Sequence, residues 1–239
     1  MRKKILWSLL IIGLLDFLGF KVIQIINDPQ YYSFLNRPKI ASVKGVNITP
    51  PQYEQLNIPL ITQTKNLSCE AAAIKMVLEK FNKQITEDEI QSKFIYDKNP
   101  YKGFRGNVNG APHGFTDYGA YAEPVAQVFA QYGIPTQVHY SLTEQQLQTI
   151  VQKGTPVIIW VNRSEKNPRI KDEVIEGEKV KLISGEHVVV VEGFSNGKWT
   201  INDPWSTTRN GQKVSQQVQV ENLDAIHWNL FDHMALAVN

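Results

Sequence analysis

The chain has 239 residues, of which 42% are hydrophobic, and this is enough for one globular domain with a sizeable core. Its 25 basic and 23 acidic residues leave a formal charge of +2 without a basic stripe, so nucleic acid is not an expected partner. The single cysteine, Cys69, excludes an intramolecular disulfide and a structural zinc site built from several thiolates. The histidines show no metal-binding spacing, and no metal or cofactor is expected.

Residues 1–27 predict a signal-anchor or transmembrane helix. Arg2–Lys4 precede the apolar stretch Ile5–Ile26, and a helix needs about 20 such residues to cross a bilayer. No Ala-x-Ala-like cleavage site follows, which favours an uncleaved anchor over a removed signal peptide; cleavage would make the protein secreted. The basic residues keep the N-terminus in the cytoplasm and place the remainder on the extracytoplasmic side. Asp16 and Lys21 leave a buried helix of a soluble protein as the alternative.

The next residues, 28–55, contain four prolines without a sustained hydrophobic period and predict a linker, followed by one domain at 56–239. Leu56–Ile61 predicts a short strand. Ser68–Phe81 predicts a largely buried helix with Ser68 as its N-cap and Cys69 in its first turn. Further helices are predicted at Glu123–Tyr132 and after Thr86 and Thr143, because both threonines begin capping-box patterns.

From Pro156 onward, short β-branched runs alternate with turn residues and predict strands. Because helices precede strands, the predicted fold class is α+β. The charged segment Arg163–Gly185 predicts an exposed hairpin or loop, with a flap beside the active site as the alternative. The predicted strands are Val157–Val161, Val188–Val191, Lys198–Ile201, Val214–Val220 and Met234–Val238, with turns at Asn196-Gly197 and Asn210-Gly211.

Cys69 has the position of a nucleophile. At a helix N-terminus, the macrodipole and the unpaired N–H groups favour the thiolate and are expected to lower the pKa of the thiol below about 8.5. Gln63 lies six positions upstream, where its amide could join the backbone N–H of Cys69 in an oxyanion hole. Taken alone, a lone cysteine is more often a buried small hydrophobic residue.

His187 and Asp203 supply the other two groups of a triad. His187 opens one predicted strand, and Asp203 follows the next strand after the turn at Asn196-Gly197. Antiparallel pairing across that turn brings the two side chains within reach of each other. A carboxylate there would fix the tautomer of the histidine and support the imidazolium that forms when the thiol is deprotonated.

Three segments together resemble the stand-alone relatives of the bacteriocin-processing peptidases, a bacterial branch of the papain-like clan. The resemblance implies a papain-like fold, with a helical half carrying the cysteine and an antiparallel β half carrying the histidine and aspartate. It also implies thiol-dependent hydrolysis of peptide bonds. The chain departs from the pattern in having no transporter, so specificity for double-glycine leaders is not implied, and in having Glu186 where a small residue is expected. The segments are Gln63 with Ser68-Cys69-Glu70-Ala71-Ala72, Gly185 to Gly193, and Ile201-Asn202-Asp203-Pro204-Trp205.

Two other functions fit the same residues. Transglutaminase-like acyl transfer to an amine shares the acyl-enzyme and differs only in the acceptor. The other is a non-catalytic binding module on the same fold. Such a module would have no physical need to keep Gln63, Cys69, His187 and Asp203. The sequence therefore predicts a membrane-anchored, extracytoplasmic cysteine peptidase that acts on a peptide or protein substrate through Cys69, His187, Asp203 and Gln63.

Overall fold

The computed structural model describes residues 55–209 and 212–239. The predicted anchor at 1–27 lies outside the described residues, as do the predicted linker at 28–55 apart from its last residue and the predicted turn at Asn210-Gly211. In the part that is described, no helix has both the length and the apolar character needed to span a membrane.

The α-helices of the described chain lie between residues 69 and 152 and confirm the predicted ones. The first of them, Cys69–Lys80, is largely buried, although the hydroxyl of Ser68 accepts the N–H of Lys65 at 3.0 Å instead of capping the helix. The hydroxyls of Thr86 and Thr143 each accept the N–H of the residue three positions on, as their capping patterns predict. The helices are α1 Cys69–Lys80, α2 Glu87–Gln91, α3 Ala122–Gln131 and α4 Glu144–Gln152.

Six strands of the described chain form an antiparallel sheet, and the fold class is α+β as predicted. In their order across the sheet these strands are β1 Thr136–His139, β8 Ala235–Val238, β2 Val157–Val161, β5 His187–Ser195, β6 Lys198–Arg209 and β7 Gln212–Val220. Helix α1 packs against β5 at the centre of this sheet. The turn at Asn196-Gly197 joins β5 to β6, and both residues have positive φ, as a tight hairpin requires. The other two strands are β3 Ile170–Ile175 and β4 Glu178–Ile183.

The charged segment Arg163–Gly185 contains a hairpin, β3 with β4, that forms a separate two-stranded sheet. Val180 and Leu182 are buried, whereas Val174 is exposed. The alternation of charge therefore describes the outer face correctly, and the few apolar residues of β4 attach the hairpin to the core.

The predicted strand at Leu56–Ile61 is wrong. The N–H of Leu56 donates to the carbonyl of Glu192 at 3.0 Å, but the N–H of Ile58 donates to the carboxylate of the same residue at 3.1 and 3.2 Å. The carboxylate of Glu192 thus accepts the hydrogen bond that a backbone carbonyl would accept in a pair of strands. The amide of Asn202 completes this attachment by donating to the carbonyl of Ile58 at 2.9 Å.

Candidate active site

A cavity of about 310 Å³ opens where the N-terminus of α1 faces the start of β5. Cys69, His187 and Asp203 all line it, so the structure brings three of the four predicted site residues to one place. Its wall also contains apolar and aromatic side chains. These are Leu67, Pro112, Tyr118 and Trp205.

The thiol of Cys69 is buried, with 4% of the residue exposed. Its Sγ donates to Oε2 of Glu70 at 3.3 Å. Burial raises the pKa of the Cys69 thiol well above its usual value, and the charges of Glu70 and Glu186 raise it further, against a smaller lowering by the backbone N–H of Val188. The lowering expected from the helix N-terminus is therefore outweighed by burial and by two neighbouring carboxyl groups.

His187 and Asp203 form the pair that their strands predict. Nε2 of His187 lies 2.6 Å from Oδ1 of Asp203. The strands β5 and β6 pair Val190 with Asn202, so Asp203 lies one position beyond this pair and on the side of His187. Because an ionised carboxylate only accepts, Nε2 carries the proton of this bond and Nδ1 is left as an acceptor.

Asp203 is held by three donors. Oδ1 accepts the backbone N–H of Trp205 at 2.8 Å in addition to His187, and Oδ2 forms an ion pair with Arg163. Burial alone would raise the pKa of Asp203, but the charges of His187 and Arg163 and the two hydrogen bonds lower it below its usual value. The indole of Trp205 stands edge-on to the imidazole of His187, with 6.3 Å between ring centroids. The carboxylate is thus ionised and fixed in position.

Gln63 does not line the cavity, and its side-chain amide is bonded to the loop that precedes Cys69. Its backbone N–H donates to the carbonyl of Pro204 at 2.9 Å, which holds it next to β6. Its amide nitrogen donates to the carbonyls of Lys65 at 2.8 Å and Asn66 at 3.1 Å, and buried Oε1 has no partner among the described residues. The amide therefore shapes the loop before Cys69 in the resting structure.

Two carboxyl groups lie close to the thiol of Cys69. Glu70 is fully buried, and its Oε1 accepts the N–H of Ala120 at 2.5 Å. Both carboxyl oxygens of Glu186 are shielded from solvent, and neither has a hydrogen-bond partner in the described part of the chain. One oxygen from each carboxyl and the Sγ of Cys69 all lie within 4.8 Å of one another.

Burial also controls the protonation of these carboxyl groups. It raises the pKa of Glu70 to about 7, although hydrogen bonds from Ala120 and Cys69 and the charge of His187 act in the opposite direction. Burial and the neighbouring charge of Glu70 raise the pKa of Glu186 well above its usual value. The pKa values of both groups therefore lie above that of an isolated glutamate.

The loop at Gly119 closes over this pair. A Cβ at Gly119 would lie 2.2 Å from Oε1 of Glu70 and 3.1 Å from Oε2 of Glu186, and the backbone has φ +122°. Only glycine fits this conformation and this space. The close approach of the backbone keeps water from both carboxyl groups.

Sequence reasoning missed the contributions of Arg163 and Glu70. His113 lines the cavity, and its Nδ1 lies 3.2 Å from both Ser164 Oγ and Glu165 Oε1. Arg163 could have been found, because it follows the end of β2 by two residues and β2 pairs with β5. A glutamate in the first turn of a helix usually indicates an exposed residue that favours the helix dipole, so Glu70 gave no such signal.

Comparison with known proteins places these observations in a family. The model of the Peptidase_C39 like family matches residues 55–235. Among solved structures, a chain from Bacillus anthracis described as a C39-like peptidase is 20% identical, with a TM-score of 0.64 over 78% of this chain and 98% of that one. No curated protein matches the chain.

Two further structures match with TM-scores below 0.5. One is a double glycine motif protease from an AMS/PCAT transporter in complex with the leader peptide, 17% identical, with a TM-score of 0.41 over 80% of this chain and 93% of that one. The other is the peptidase domain of Streptococcus ComA, a bifunctional ABC transporter involved in quorum sensing. It is 13% identical, with a TM-score of 0.42 over 76% of this chain and 96% of that one. The family match and the Bacillus anthracis structure establish the papain-like α+β fold that the resemblance implied. The chain belongs to the Peptidase_C39 like family and is a cysteine peptidase.

Proposed function

We propose that the chain hydrolyses peptide bonds in a peptide or protein substrate, with Cys69 as the nucleophile and His187 as the base. Asp203 orients the base. The observation that carries this proposal is the 2.6 Å contact between His187 and Asp203 on the wall of the cavity that Cys69 also lines. The geometry supports general-base activation of a thiol, because Asp203 is ionised and leaves one imidazole nitrogen free to accept a proton.

The reaction follows from these roles. Nδ1 of His187 takes the thiol proton of Cys69 as Sγ bonds to the carbonyl carbon of the substrate. The imidazolium, stabilised by Asp203, then gives the proton to the leaving nitrogen as the C–N bond breaks. Water attacks the resulting thioester while His187 accepts its proton, and cleavage of the S–C bond returns the thiol and releases the carboxylate product.

Gln63 is proposed as one donor of the oxyanion hole, together with the backbone N–H of Cys69. Its position beside Pro204 supports this role, since it lies next to the His187–Asp203 pair. Both of its amide protons are bound to loop carbonyls in the resting structure, so substrate binding has to exchange one of these bonds for a bond to the oxyanion.

We place this activity on the extracytoplasmic side of a bacterial membrane, to which the N-terminal segment anchors the domain. The basis is the sequence order alone, in which Arg2–Lys4 precede the apolar stretch Ile5–Ile26.

The first prediction tests the nucleophile and base. Cys69→Ala and His187→Ala should each lower the hydrolysis of a quenched fluorescent peptide library by at least about 10³-fold, because loss of either group removes covalent catalysis. His233→Ala is the matched control, since His233 pairs with Asp224 and does not line the cavity, and it should keep wild-type turnover. Turnover by folded Cys69→Ala protein would assign the activity to another group.

The second prediction concerns the orienting carboxylate. Asp203→Asn keeps the shape of the side chain but loses its charge, so kcat should fall by about 10⁴-fold and the pH dependence of turnover should change. Asn202→Ala, at the adjacent position, is the control for stability and should affect unfolding more than the pH profile, because its amide bonds the carbonyl of Ile58. An unchanged pH profile in Asp203→Asn, with a changed one in Asn202→Ala, would transfer the orienting role to Asn202.

The third prediction separates the two roles of Gln63. Loss of an oxyanion donor in Gln63→Ala should lower kcat by about 10²–10³-fold. Alkylation of Cys69 by iodoacetamide should proceed at the wild-type rate, because no oxyanion forms in that reaction. Equal losses in turnover and alkylation would mean that the residue acts by shaping the loop. Gln152→Ala, at the end of α4, is the control.

The fourth prediction concerns topology. In spheroplasts that express the full chain, added protease should digest the domain from outside. A variant with Arg2, Lys3 and Lys4 replaced by glutamate should lose this uniform orientation, because the basic cluster sets it. Complete protection of the wild-type chain until lysis would place the domain in the cytoplasm.

A further inference from the structure

The thiol of Cys69 shares a buried space with two carboxyl groups. Sγ donates to Glu70 at 3.3 Å, and an oxygen of Glu186 completes a cluster in which all three atoms lie within 4.8 Å. Each group can become an anion. Three negative charges at these distances in a buried site repel one another strongly, so the cluster must retain protons at neutral pH.

No cation balances this cluster within the described residues. Arg163 forms an ion pair with Asp203. Neither Glu70 nor Glu186 forms an ion pair with a lysine or arginine of the described chain. The remaining groups that face the cluster are Tyr118, whose hydroxyl bonds Tyr121 and Ile183, and the backbone N–H groups of Ala120 and Val188. The His187–Asp203 pair, on β5 and β6, also faces the cluster.

The hydrogen bonds indicate which group holds the proton. Glu70 has two donors, the N–H of Ala120 and the thiol, and these stabilise a carboxylate. Glu186 has no donor among the described residues, and a buried carboxylate without a donor is strongly destabilised. A protonated Glu186 is neutral and avoids this cost, and one of its oxygens lies within 4.8 Å of a Glu70 oxygen.

We propose that Glu70 and Glu186 share one proton, held on Glu186, so that Glu70 accepts the thiol hydrogen bond and keeps Cys69 in its thiol form in the resting enzyme. Glu70 is then a catalytic residue, because it touches the reacting sulfur, and Glu186 is a positioning residue that acts through Glu70. The inference rests on the proposed function only in taking Cys69 as the nucleophile.

This arrangement makes the nucleophile depend on the charge of the pair. Before attack, the thiol has to exchange its bond to Glu70 for one to His187, since only the imidazole can pass the proton to the leaving nitrogen. Protonation of Glu70 weakens the bond to be broken and removes the charge that opposes the thiolate. The pair thus sets how readily Cys69 ionises.

The test is the pH dependence of iodoacetamide alkylation of Cys69 in the full chain, with chelator present to remove metal ions. Glu70→Gln should move the alkylation midpoint about one to three pH units lower, the range for removal of one neighbouring charge. Glu186→Gln should keep a midpoint near that of the wild type, because its amide N–H can replace the donated proton. Glu79→Gln, at the far end of α1, is the matched control and should match the wild type.

An infrared measurement follows the shared proton directly and does not need Glu70→Gln to fold. Wild-type protein and Glu79→Gln at neutral pH should show the carbonyl stretch of a protonated carboxylic acid, and Glu186→Gln should lack it. Absence of that band from the wild type, a wild-type midpoint in folded Glu70→Gln, or a midpoint in Glu186→Gln as low as in Glu70→Gln would each overturn the inference. None of these readouts uses a substrate, so they stand apart from a failure to find peptide hydrolysis.

Discussion

The antiparallel register of β5 and β6 is the constraint on which the site depends. Pairing of Val190 with Asn202 fixes which side chain of β6 meets His187, and a shift of one residue would turn Asp203 to the other face of the sheet. On its other side β5 pairs with β2, where His187 lies opposite Val161. Arg163, two residues after Val161, is thereby brought to Oδ2 of Asp203. Backbone hydrogen bonds between strands therefore position His187, Asp203 and Arg163 relative to one another.

The ionisation of the Cys69 thiol depends on a different balance of charges. A helix macrodipole favours an anion at its N-terminus by about 0.3–1 kcal/mol, and by about 2 kcal/mol in favourable buried geometries. A unit negative charge at 4.8 Å, the outer limit of the cluster around Cys69, opposes the thiolate by about 3.5 kcal/mol at an effective dielectric constant of 20. The carboxylate of Glu70 outweighs the dipole of α1, and burial adds to its effect. A cysteine at a helix N-terminus is thus reactive only when its other neighbours permit it.

Much of the fold could be predicted because the signals were local. The capping patterns at Thr86 and Thr143 and the turn at Asn196-Gly197 depend on a few adjacent residues. The failure at Leu56–Ile61 has a long-range cause, since the partner of Ile58 is a carboxylate 134 residues away. The strand β1 was not predicted because it has four residues without a clear alternation of burial.

The candidate site divides in the same way. Cys69, His187 and Asp203 could be predicted from residue type, predicted element and the tight turn between two strands. The buried carboxyl pair could not be, because Glu70 and Glu186 come together only when α1 packs against the start of β5. Glu186 departs from the family pattern in the sequence, and in the structure its carboxyl group lies close to the thiol of Cys69.

The carboxyl groups of Asp203 and Glu70 contribute to stability in opposite directions as the pH changes. The pKa of Asp203 is lowered, so its ionised form contributes stability above its unfolded value of about 3.9, and that contribution is lost as the pH falls through the folded value. The pKa of Glu70 is raised to about 7, so its contribution is present below the unfolded value of about 4.3 and is lost as the pH rises through 7. Between these limits the His187–Asp203 pair stays intact while the charge beside Cys69 changes. The His187–Asp203 pair is therefore fixed by its hydrogen bonds, whereas the charge beside Cys69 changes with the protonation of Glu70.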